Sequence, residues 1–167
     1  ASAGTSATLT FTGVNYTADV SNGASTPLLR ISSDYASQYN TQGQSIDNNE
    51  GDASKITITF TNLVSAFGFN FGASDSNWTL TAYDSSNNAI GSTVISPVFG
   101  SNAGDFFGIA SASANIAKAV LVVNGGTPAY DHVFIDNFKF TAVPEPSTWV
   151  LLGLGAVGLL AWSRRRR

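Results

Sequence analysis

This sequence predicts an all-β fold: an antiparallel two-sheet β-sandwich of jelly-roll type, plus one C-terminal hydrophobic helix. Three observations carry that expectation. Apolar and polar residues alternate along most of residues 7 to 141. Helical periodicity is nearly absent there. Clusters of Ser, Asn, Asp and Gly separate the alternating runs, as turns require.

Nine strands follow in order, at about 7–14, 28–32, 55–62, 64–72, 77–84, 89–95, 105–110, 116–124 and 132–141. In KITITF, Ile56, Ile58 and Phe60 share one face and the threonines the other. In AFGFNFG, Phe67, Phe69 and Phe71 point one way; in NWTLTAYD, Trp78, Leu80 and Ala82 do. Each reads as a half-buried strand, apolar inside and polar outside. Val120 to Val123 are consecutive and predict a central strand covered on both faces. Asp84 to Asn88 predict a hairpin turn. Residues 33 to 54 form the one long irregular stretch, a length that usually marks function.

Composition narrows the function. Cysteine is absent, which excludes a disulfide framework, a thiolate metal site and a cysteine nucleophile. Without the four terminal arginines the chain sets Arg30, Lys55, Lys118 and Lys139 against eleven acids, a balance of −7. Nucleic acid is therefore not an expected partner, since it asks for a basic patch. The chain opens on ASAGTSATLTF without methionine, which predicts a removed signal peptide.

The end of the chain is VPEPSTWVLLGLGAVGLLAWSRRRR. The 14 residues Trp149 to Trp162 are uncharged, and as a helix would span about 21 Å. Interfacial tryptophans bracket the run, and the arginines that follow can snorkel to headgroups, so it predicts a short transmembrane helix in the inner membrane. The positive-inside rule puts Arg164 to Arg167 in the cytoplasm and residues 1–142 outside.

Pro144, Glu145 and Pro146, the apolar run, and then Arg164, Arg165, Arg166 and Arg167 closely resemble the PEP-CTERM sorting signal of Gram-negative bacteria. The resemblance covers residues 143–167. It implies an exosortase as partner, cleavage near the Pro-Glu-Pro motif, transfer from a membrane-anchored precursor to the cell surface, and association with exopolysaccharide. The order LTFTGV, ISSDYASQ, VSAFGFNFG, LTAYDSSNNAIGS, DFFGIAS and DHVFIDNFKF also resembles a recurring PEP-CTERM ectodomain. More distantly, Ile135, Asp136 and Asn137 are similar to the I-D-[DN] of jelly-roll carbohydrate-binding modules. There the Asp helps hold a structural calcium with a Glu of the first strand. Here the comparable first-strand residue is Thr12.

Asp136 is the most informative carboxylate. Alternation puts it on a face with Phe134, Phe138 and Phe140, where a carboxylate needs a partner. Two readings stay open: an acceptor for N–H groups of a neighbouring loop, or a calcium ligand. Asp47, Glu50 and Asp52 crowd one loop whose oxygens suit calcium, or form a solvated acidic loop. Tyr35, Tyr39 and Gln42 offer aromatic and amide groups for a glycan, or anchor their loop to the sandwich. Catalysis is not expected. His132 is the only histidine, Glu50 is the only Glu before Glu145, and there is no G-x-S-x-G. The expected role is a non-enzymatic, exopolysaccharide-associated protein of the cell surface or matrix. The alternatives are a carbohydrate-binding protein with a structural calcium, and a self-assembling subunit that pairs strands at a sheet edge.

Overall fold

In the computed structural model the described residues are 7–20, 29–33, 35, 37–48, 53–98, 105–125 and 131–142. They form ten strands and are all-β, as expected. The strands are β1 (Ala7–Phe11), β2 (Val14–Val20), β3 (Arg30–Ser32), β4 (Ser45–Asp47), β5 (Ala53–Gly72), β6 (Trp78–Tyr83), β7 (Ala89–Ile95), β8 (Phe106–Ala110), β9 (Ile116–Val123) and β10 (Phe134–Ala142). Every pairing is antiparallel.

The 20-residue β5 organises the rest. Its first half pairs with β2 on one edge and β9 on the other. Its second half pairs with β10 and β8. Val64 is partnered by both Ala142 and Ile116, so β10 follows β2 along one edge and β8 follows β9 along the other. The ladder to β9 shifts between Thr59 and Val64, where Thr61, Asn62 and Leu63 are exposed. There β5 passes from one layer to the other. One layer runs β1-β2-β5-β9-β6-β7 and the other β3-β4-β10-β5-β8.

Side chains of the two layers interdigitate. Tyr16 of β2 meets Phe138 of β10 with ring centroids 5.5 Å apart, and Phe71 of β5 meets Trp78 of β6 at 5.8 Å. Ile109 of β8 comes so close to Gly91 of β7 that a Cβ there would lie 3.4 Å from it. Ile56, Ile58, Phe69, Phe71, Trp78, Leu80 and Ala82 are all at most 1% exposed. The inward-facing residues of KITITF, AFGFNFG and NWTLTAYD are thus the expected ones. Each large side chain contributes about 1.5–3 kcal/mol by leaving water.

Four expectations are corrected. Residues 7–14 are not one strand but the start of a hairpin, with Thr12 and Gly13 turning into β2. Residues 55–62 and 64–72 are one strand, because a bulge lets β5 bend without breaking. The stretch 33–54 contains β4, which pairs β10 with β3. Finally, β9 is central but not covered on both faces: Val122 is 39% exposed, and among the described residues no second layer packs on that face.

Buried polar groups pin the strand ends. Asn48 is fully buried and makes three side-chain bonds. Its amide nitrogen donates to Ala53 O at 3.0 Å and Asp131 O at 2.7 Å, and its oxygen accepts from Val133 N at 2.9 Å. The Asp131 carboxylate accepts from Asp75 N at 2.6 Å, Ser76 N at 3.1 Å and Trp78 Nε1 at 2.7 Å. Replacing Asn48 by Ala strands three buried backbone groups. We expect Asn48→Ala to lower stability by about 2–4 kcal/mol, read as a lower denaturant midpoint at an unchanged slope. An unchanged midpoint would mean that Asn48 does not tie these strands together.

Candidate functional site

An irregularity in β10 shapes the site. In β10, Asp136 is opposite Asn70 and Lys139 is opposite Gly68, so Asn137 and Phe138 together face the single residue Phe69. This is a β-bulge, and Asn137 takes the left-handed conformation it needs, with φ of 49°. The extra residue reverses the alternation. Phe138 and Phe140 point into the core, and Phe138 stacks on Phe69 at 6.0 Å. Phe134 and Asp136 stay with Asn70 and Gly72 on the outer face. Asp136 therefore does not share a face with Phe138 and Phe140. Its carboxylate accepts the Gln42 N–H at 2.6 Å and the Asn137 N–H at 2.6 Å.

The loop before β4 lies on this outer face. Gly72 admits it: a Cβ there would fall 1.7 Å from Tyr39 O. Asn40, 8% exposed, donates to Phe71 O at 3.3 Å and Asp105 O at 2.7 Å, and its own carbonyl accepts from Asn70 Nδ2 at 3.3 Å. Tyr39 stacks on Phe134 at 6.1 Å, while Tyr35 meets Tyr39, Phe134 and His132. Tyr35 keeps 37% of its surface exposed, and Gln42 is exposed. The two tyrosines therefore fasten the loop to β10.

On the other side of β10 is a groove of about 360 Å³. Its existence follows from the pairing: β4 covers only Phe134 and Ile135, so the β10 edge is unpaired by β4 from Asp136 onward. The β1–β2 hairpin forms the facing wall. The floor is apolar and aromatic, with Tyr16, Ile46, Ile135, Phe138 and Phe140. Phe11, 40% exposed, and Ile31, 48% exposed, stand at the mouth. Thr12, Gln44, Ser45, Asp136 and Asn137 bring polar groups to the same space. A groove of this size, apolar below and polar at the rim, is suited to a ligand with both kinds of surface.

Other sequence candidates are placed apart. Asp47 is buried, and Arg30 Nε lies 2.9 and 2.8 Å from its two oxygens. His132 Nε2 lies 3.8 Å from Asp47 Oδ1. Among the described residues no three carboxylate or histidine side chains gather as a metal site. Glu50, Asp52, Pro144, Glu145, Pro146 and Arg164 to Arg167 lie outside the described residues, as does the run Trp149 to Trp162. Among the described residues no helix is long and apolar enough to cross a membrane. The groove itself was missed, because its two walls lie more than a hundred residues apart. Asn40 and Asn48 carry no signal beyond their polarity.

Residues 142–167 match the PEP-CTERM protein-sorting motif, and the chain carries that signal. No curated protein matches the chain. Among solved structures, a DUF4465 family protein from Bacteroides caccae is 10% identical over 84% of this chain and 88% of that one, with a TM-score of 0.50. It shares the fold. The K2 cleaved adhesin domain of Lys-gingipain is 11% identical over 77% of this chain and 89% of that one, at a TM-score of 0.48. The carbohydrate-binding module TmCBM61, solved with β-1,4-galactotriose, is 16% identical over 69% and 88%, at a TM-score of 0.39.

Tyr16 gives the groove a titration signature. Burial pushes its hydroxyl far above the ordinary value of 10.0. The unfolded chain ionises Tyr16 near that ordinary value while the folded chain holds it neutral. Stability is thus unaffected by Tyr16 below pH 10.0 and is lost as pH rises above it. We expect the denaturant midpoint to fall on the alkaline side and Tyr16→Phe to flatten that fall. The same fall in both proteins would contradict the burial of this ring.

Proposed function

We propose that this PEP-CTERM-sorted protein is a non-enzymatic component of the cell surface that holds exopolysaccharide in the groove between β10 and the β1–β2 hairpin. The observation that carries the reading is the groove's composition. Aromatic and aliphatic side chains form a floor for the C–H faces of sugar rings, and Gln44, Ser45, Asp136 and Asn137 supply donors and acceptors for hydroxyls. The sorting motif supports a location at the cell surface; contact with exopolysaccharide there is part of the proposal. We propose that the apolar run Trp149 to Trp162 anchors the precursor in the membrane until processing. Binding without turnover fits a chain whose only histidine packs on Phe134 and whose only glutamate before the sorting motif is Glu50.

Calcium enters this reading as a proposed oxygen-bound stiffener of the rim at Asp136; Asp47, whose two oxygens lie 2.9 and 2.8 Å from Arg30 Nε, is not part of that set. The test is retention of the protein on exopolysaccharide purified from the producing cell, with and without a chelator. Wild-type protein is expected to be retained. Ile31→Trp, which fills the groove's mouth from an exposed edge strand, is expected to weaken retention about tenfold, equivalent to about 1.4 kcal/mol. Retention abolished by the chelator would support a calcium requirement. No retention under either condition would overturn the glycan reading.

One observation favours a second reading as a self-assembling subunit. Edge strand β7 has seven residues, no charge and no proline, and exposes 58% of Val94. Fibres that form with rising protein concentration would support it.

A further inference from the structure

The outer face of the β3-β4-β10-β5-β8 layer carries a side chain that the groove does not use. Phe106 begins β8 and is 50% exposed. Its partner across the strand is Asn70, yet its ring leans diagonally to Gly68: a Cβ built there would fall 2.3 Å from Phe106 Cε1 and 2.7 Å from Cζ. The ring therefore lies down on the sheet instead of standing away from it, and only a glycine at 68 leaves it room. Gly68 is flanked by Gly108 on β8 and Lys139 on β10, so no side chain at 68 or 108 stands between the ring and the lysine position. Asn70 sits between Phe106 and Asp136 in the same cross-strand row. Gln42 reaches Asp136 from the loop.

A half-exposed phenylalanine lying over Gly68 shares its face of the sheet with the Asn70 amide and the Lys139 ammonium group. That rim does not match an apolar protein face, whose contacts exclude charge at their centre. It matches a ring-shaped ligand with an apolar face and polar edges. We infer that Phe106 is a stacking platform for a pyranose residue, with Asn70 and Lys139 placed to bond its hydroxyls. The platform lies on the opposite side of the β10 layer from the groove, so it is a second glycan contact. The inference rests on the proposed glycan reading and adds a site to it. Two contacts on opposite faces of one layer let a single domain join two chains, or two turns of one chain, with the gain that multivalency brings.

The test uses the full chain in mild detergent, titrated with oligosaccharides released from the producing cell's exopolysaccharide by mild acid hydrolysis. Phe106→Ala is expected to weaken binding about tenfold, with an unchanged thermal midpoint because the ring is exposed. Phe106→Trp restores the stacking surface and is expected to restore binding, with a shift in tryptophan emission on addition of the sugar. Gly68→Val lifts the ring from the sheet and is expected to weaken binding as Phe106→Ala does. If Phe106→Ala binds like wild type while Ile31→Trp is weakened, the platform is overturned and the groove stands. If wild type itself does not bind, both are overturned.

Discussion

Twenty residues of β5 form a strand that serves both layers of the molecule, well beyond the five or six residues usual for a strand. Because one strand belongs to two sheets, the sheets cannot lie flat against each other everywhere. They open from the bend at Thr59 to Val64 on both sides of β5. On one side Phe107 and Ile109 of β8 fill the wedge beneath β6 and β7. On the other side the filling is incomplete. The β1–β2 hairpin and the pair β3–β4 are short, and β4 leaves β10 after two paired residues. The groove is the space that remains, so the candidate site follows from the way the fold closes.

Such an opening has to be held against collapse. Asn48 and Asp131 fix the starts of β5 and β10 and the turn before β6 through buried bonds. These bonds are directional, and removing one partner leaves a buried group unpaired. The bulge at Asn137 acts at the other end. It turns Phe138 into the core, where Phe60, Phe67 and Phe69 surround it, and leaves Asp136 beside the loop. One inserted residue thus gives β10 a wet face and a dry face in the same five positions.

The core and the tail were legible in the sequence for different reasons. Period-two alternation in KITITF and NWTLTAYD requires only neighbouring residues and the pleat of a strand, so the buried faces could be read directly. The sorting motif is local, with its proline-glutamate-proline, apolar and arginine blocks adjacent in the chain. The site was legible only in fragments. Asn137 looks like any other residue of a strand, yet its bulge reverses the side on which Phe138 and Phe140 lie. Tyr35 and Tyr39 were visible as aromatics in a polar loop, but their packing on Phe134 depends on Gly72 admitting the loop. DFFGIAS does not tell which face Phe106 takes; its register opposite Asn70 and the glycine at 68 place it on the outer surface.

The central claim is that the bend in β5 leaves a groove that accepts a sugar chain. The most direct measurement is a methyl NMR titration of isoleucine-labelled protein with exopolysaccharide oligosaccharides. Ile31, Ile46 and Ile135 line the groove, whereas Ile56, Ile58, Ile95 and Ile116 sit in the closed core. The account predicts progressive, saturable shifts of the three groove methyls with the four core methyls unmoved. Saturable binding that leaves Ile31, Ile46 and Ile135 unshifted would contradict it.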